Sequence, residues 1–126
     1  MTTDLIQIRE AIDRIVASPS YIPLTGDDFR QLLPGPAGMI HVTGRDIQDT
    51  LDKLEDEYGK MPAGRPAGII TFIRSRSLTM GDLQRLAKSI PAAPFRKNGL
   101  ENSAPEGGVI EVYLFFSRDG RPGSPR

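Results

Sequence analysis

A single histidine, His41, is the one side chain of this 126-residue sequence whose ordinary pKa lies near neutrality, and there are no cysteines. Beside Arg74 or Arg76, its imidazole could serve as a general acid or base on a phosphodiester, the chemistry of a metal-free ribonuclease or phosphotransfer site. No motif supplies a second general base. A lone histidine near a strand end is more often a partly buried, hydrogen-bonded structural residue, and that reading stands beside the catalytic one.

A second constellation is built from arginines and hydroxyls. Three segments, His41-Val42-Thr43-Gly44-Arg45, Arg74-Ser75-Arg76-Ser77 and Ser117-Arg118, each end a predicted strand and each carry an arginine and a hydroxyl. Guanidinium forks and the free N–H groups of helix starts both favour phosphate or carboxylate. Thr43, Arg45, Arg74, Arg76, Ser77 and Arg118 are therefore the expected anion- or partner-binding set. The signal is not specific, because arginines are common where strands meet solvent and threonines serve as helix caps. Phe95-Arg96-Lys97, inside a long predicted loop, is a further contact group. With 6% aromatics and no tryptophan, a stacking platform for single-stranded nucleic acid has little support.

Composition removes other chemistries. Without cysteine there is no disulfide, thiolate nucleophile, zinc ribbon or iron–sulfur cluster. One histidine excludes multi-histidine metal sites. A carboxylate-only magnesium or calcium site is compatible with the composition, but the acidic run Asp49, Asp52, Glu55, Asp56, Glu57 lacks calcium-loop spacing and reads as a solvated helix face. No metal and no cofactor are expected. Phosphate loops, dinucleotide fingerprints and nucleophile elbows are absent.

The elements that must position these residues follow from periodicity. Leu5, Ile8, Ile12 and Ile15 form one stripe of an amphipathic helix over 4–17. A short helix is expected at about 26–33, a strand at 38–42 and a helix over 44–58, with Ile47, Leu51, Leu54 and Tyr58 inward. Residues 69–73 are apolar on both faces, so this strand should be central. A helix follows at about 80–90, then a loop over 91–108, then a strongly apolar strand over 109–116. Leu24-Thr25-Gly26-Asp27-Asp28-Phe29, Val42-Thr43-Gly44-Arg45-Asp46-Ile47 and Leu78-Thr79-Met80-Gly81-Asp82-Leu83 share Thr-x-x-Asp before an apolar residue, the pattern of a capping box at a helix start.

The resulting expectation is an α/β domain with a small three-stranded, mostly parallel sheet, a β-α-β-α-β core and two N-terminal helices packed against it. An α+β arrangement with an antiparallel last strand is the alternative. Residues 1–117 are expected to form one globular domain and 118–126 a flexible tail. If the sheet is parallel, the arginine-bearing ends share one rim, where open α/β sheets bind ligands. Hydrophobic content of 38% and charged content of 25% suit one globular core. Met1-Thr2-Thr3-Asp4 lacks the features of a signal peptide, and no apolar run approaches the roughly 20 residues that span a bilayer. A soluble, cytoplasmic protein without membrane partners is expected. The net charge is zero, yet residues 1–62 carry an acidic excess and 63–126 an equal basic one.

The leading functional expectation is a small non-catalytic interaction or regulatory protein (an inhibitor, adaptor or immunity-type factor) that binds another macromolecule, with a protein as the first expected partner and nucleic acid or a phosphate ligand as the other. The alternative is a phosphate-directed nucleic-acid binder or metal-free ribonuclease using His41 and the arginine rim. A small-molecule enzyme has least support, and open sheet edges would also suit a homodimer.

Overall fold

Helical spacing of apolar side chains produces α1 (Leu5–Ala17), with Ile8, Ala11 and Ile15 buried and Arg9, Asp13 and Arg14 exposed. The computed structural model describes residues 5–17, 24–30, 36–60, 68–76, 78–91, 93, 95–101 and 110–117. Along them follow the single turn α2 (Gly26–Arg30), β1 (Pro36–Gly44), α3 (Ile47–Tyr58), β2 (Gly68–Ser75), α4 (Met80–Ser89), β3 (Phe95–Glu101) and β4 (Ile110–Ser117). The expected tail 118–126, Ser77 and Arg118 lie outside the described residues. No described helix is long and apolar enough to cross a membrane.

Two of the three Thr-x-x-Asp segments close as capping boxes. Thr25 Oγ1 accepts from Asp28 N at 3.3 Å while Thr25 N donates to Asp28 Oδ2 at 2.9 Å. Thr79 and Asp82 make the same exchange at 3.1 and 3.2 Å. The third does not form. Thr43 and Gly44 remain in β1, paired with Glu111 and Ile110, so α3 starts at Ile47 instead of residue 44. Asp46 caps it, accepting from Asp49 N at 2.8 Å.

The chain is α/β, with a mixed sheet of four strands among the described residues in the order β1-β4-β2-β3. This corrects the expected three-stranded, mostly parallel sheet in two respects. β4 runs antiparallel to both β1 and β2, and among the described residues only β2 and β3 pair in parallel. Part of the segment read as a loop over 91–108 is the edge strand β3. Its run Arg96-Lys97-Asn98-Gly99 carries the charge and glycine that protect an exposed edge, which is why it does not look like a strand. Gly99 is needed for close approach, since a Cβ there would lie 2.6 Å from Leu24 Cγ and 3.0 Å from Phe72 Cδ1.

Period-two alternation divides the core between two faces. On one face α1 and α2 cover Ile70, Phe72, Tyr113 and Phe115, with Phe29 set edge-on against Phe115 at 5.1 Å between ring centroids. On the other, Leu54 of α3, Leu86 of α4 and Ile90 cover Ile40, Val42, Ile69, Ile73, Val112 and Leu114. The progression β1, β2, β3 moves one way across the sheet, so crossovers of one hand put α3 and α4 on the same side. β2 is central, as its apolar faces predict, and β4 is central too.

Thr71 sits in β2 at 1% exposure, and its hydroxyl has no hydrogen-bond partner among the described residues. A buried hydroxyl without a partner carries an uncompensated desolvation cost. Thr71→Val is expected to stabilise the domain by about 1 kcal/mol. Thermal unfolding should show a midpoint about 3–5 °C higher; a lowered midpoint would contradict this account.

Candidate functional site

Strand register assembles the site. On the face beneath α1, His41, Tyr113, Phe72 and Gly99 form one row across the four strands. The next row, two residues along each strand, reads Thr43, Glu111, Arg74 and Glu101. The first row joins the apolar core through Phe72 and Tyr113. The second is polar from edge to edge.

Glu111 is the centre of this row. Its carboxylate accepts from Arg74 Nη1 at 2.5 Å and lies 2.6 Å from His41 Nε2. Arg74 Nε stands 3.5 Å from Glu101 Oε2. Burial works against the charge on Glu111, but the hydrogen bonds and positive charges of His41 and Arg74 outweigh it, and the carboxyl group titrates below the ordinary glutamate value of 4.5. An ionised carboxylate can only accept, so Nε2 carries the imidazole proton toward Glu111 and Nδ1 is the remaining ring nitrogen. The imidazole also stacks on Tyr113, with centroids 4.2 Å apart and planes within 6°. Burial raises the Tyr113 phenol pKa, Glu111 adds to that rise, and the nearby Arg14 opposes it. The network opens gradually to solvent. Side-chain exposure is 10% at Glu111, 15% at Glu101, 30% at Arg74 and 41% at His41.

Among the described residues, the predicted arginine rim keeps two of its strand ends, those of β1 and β2, and loses the third. β1, β2 and β3 end together, but antiparallel β4 begins there, and Ser117 pairs with Pro36 at the opposite end of the sheet. Ser117 is thereby separated from Arg45, Arg74 and Arg76. Arg45 is highly exposed, with Nε 3.7 Å from Asp49 Oδ2. The backbone N–H of Arg45 is the main influence holding the Asp49 carboxyl below its ordinary value. Arg76 is exposed just beyond β2. Thr43 is half-buried in the polar row, and its carbonyl accepts from Lys53 Nζ at 2.7 Å.

The setting of Phe95, Arg96 and Lys97 is corrected from a loop to the strand β3. Alternation separates its charges. Arg96 Nη2 donates to Ala87 O of α4 at 3.0 Å, whereas Lys97 Nζ lies 3.4 Å from Asp28 of α2. Phe95 packs against the core under α1. Burial tends to raise the Asp28 pKa, but the Thr25 backbone bond and Lys97 together keep it lowered.

Glu101, Glu111 and Tyr113 complete the constellation and were not singled out by sequence reasoning. Glu111 had a legible signal, since a single charge inside an apolar strand must find partners when buried. Among the described residues, no group of His, Asp or Glu side chains could hold a metal ion. No protein-family model matches the chain, and no curated protein matches it either.

Proposed function

We propose that the chain is a small non-catalytic interaction protein, of inhibitor, adaptor or immunity type, that binds a basic surface of another polypeptide through its polar row. The observation that carries this reading is the double commitment of Arg74 to Glu101 and Glu111. A guanidinium held between two carboxylates leaves a rigid strip with alternating charge and a negative balance when His41 is neutral. The helix starts at the same end of the sheet add Asp46, Asp49 and Asp82, against Arg45, Arg76 and Lys53. Arg74 is held by Glu101 and Glu111 and Arg45 lies beside Asp49, so a phosphate backbone would have to compete with carboxylates for these guanidinium groups. A lysine- or arginine-bearing protein surface is the complementary partner, and a preformed charge pattern favours specificity and encounter rate.

The phosphodiester reading keeps one specific support, the carboxylate that orients the His41 ring at 2.6 Å. One experiment separates the two. A photo-cross-linking residue at the exposed position 45 would identify the partner in the native host, and calorimetry with the purified partner would then measure affinity. Thr43→Lys adds a positive charge to the strip and is expected to weaken binding about tenfold or more. Unchanged affinity in a folded Thr43→Lys variant would remove the proposed surface. Cleavage of an oligoribonucleotide that disappears in His41→Ala would replace the binding reading with the catalytic one.

A further inference from the structure

Beside the polar row, a cleft of about 200 Å³ lies between α1 and the sheet. Phe72 and Tyr113 contribute from the sheet and Ile15 from the helix, while Arg14, Arg74 and Glu101 supply its charge. Phe72 and Tyr113 are 1% and 6% exposed, so the cleft reaches down to core side chains.

We propose that this cleft binds a small organic carboxylate, with its apolar body against Phe72, Tyr113 and Ile15 and its carboxylate on Arg14. The site goes beyond the partner-binding reading and does not depend on it. Its ligand class follows from which charges are committed. Arg74 is engaged by Glu101 and Glu111. Arg14, in the last turn of α1, has no ion pair with a carboxylate among the described residues, and its charge acts on Tyr113, on the cleft side of the helix. A guanidinium facing an apolar recess matches a planar carboxylate that it can grip by two parallel hydrogen bonds. The Glu101 carboxylate in the cleft lining repels a doubly charged phosphate more strongly than a singly charged carboxylate. The recess is smaller than a drug-sized pocket, so the body should be one ring or a short chain.

Phenylacetate and its uncharged amide, phenylacetamide, are suitable probes for titration by backbone amide chemical shifts. Phenylacetate should give saturable shifts centred on Arg14, Ile15 and Tyr113, with phenylacetamide about tenfold weaker or more. Arg14→Gln changes an exposed helix residue and should keep the fold. It is expected to reduce phenylacetate binding to the level of the amide while leaving the amide unaffected. No saturable shift at these residues, or equal binding of acid and amide with no response to Arg14→Gln, would overturn the proposal. Because neither probe involves the protein partner, failure here leaves the partner-binding reading to its own test.

Discussion

Alanine at position 44 is expected to destabilise the domain by about 3 kcal/mol or more. Gly44 ends β1 where α3 turns back against it. A Cβ at this position would lie 1.9 Å from Thr50 Oγ1 and 2.8 Å from both Cα and N of Thr50. The hydroxyl cannot simply rotate away, because it donates to Asp46 O at 2.8 Å and Thr50 is fully buried. The backbone atoms allow still less adjustment, so the start of α3 must move off the sheet. That would loosen Leu54 and the half-buried Ile47 and Leu51, which close this side of the core. Urea unfolding of Gly44→Ala and Gly81→Ala provides the comparison. Gly81 is exposed, with Thr79 Oγ1 3.7 Å from its would-be Cβ as the nearest atom, so alanine there should be neutral or mildly stabilising. Equal midpoints for wild type and Gly44→Ala would refute the close-approach account.

Glu111→Gln should produce the second large effect, a loss of about 2–3 kcal/mol at neutral pH. The substitution keeps the shape but removes the charge shared by His41 and Arg74. The loss falls at or below the lower limit for breaking a buried pair, because Arg74 is 30% exposed and keeps Glu101 nearby. The pH dependence distinguishes this electrostatic role from simple packing. A carboxyl group with a lowered folded-state pKa contributes stability above its unfolded value and loses it as pH falls through the folded value. For Glu111 the contribution is therefore complete above the ordinary 4.5 and declines below it. The lowered values of Asp28 and Asp49 act in the same direction. Wild-type stability should fall on acidification, and Glu111→Gln should show a shallower acid limb. An identical acid limb in both proteins would assign that dependence to other carboxylates.

Much of this architecture was legible because burial imposes a period. The stripe of Ile8 and Ile15 marks α1, while Leu54 and Leu86 mark the inner faces of α3 and α4. The two apolar faces of 69–73 correctly marked β2 as internal. Strand direction was not legible, since residues alternate with the same period in parallel and antiparallel sheets. That ambiguity decided the site. With β4 reversed, its C-terminal end leaves the predicted rim, and its first residues bring Glu111 to Arg74 and His41. β3 was hidden for a different reason, because exposed edge strands are selected for charge and against the apolar run that identifies central strands. His41 and Arg74 could be named from residue type, but their partners depend on contacts 70 and 37 positions away.

The placement of β4 between β1 and β2 also sets the order in which the molecule can be assembled. Those earlier strands share no ladder, and each bonds to the segment made last among them. During synthesis, residues 36–44 and 68–75 leave the ribosome as separated strands with apolar faces, and no central ladder can join them until 110–117 has emerged. Such long-range closure raises contact order, slows folding and lengthens the interval in which a nascent chain needs protection from aggregation.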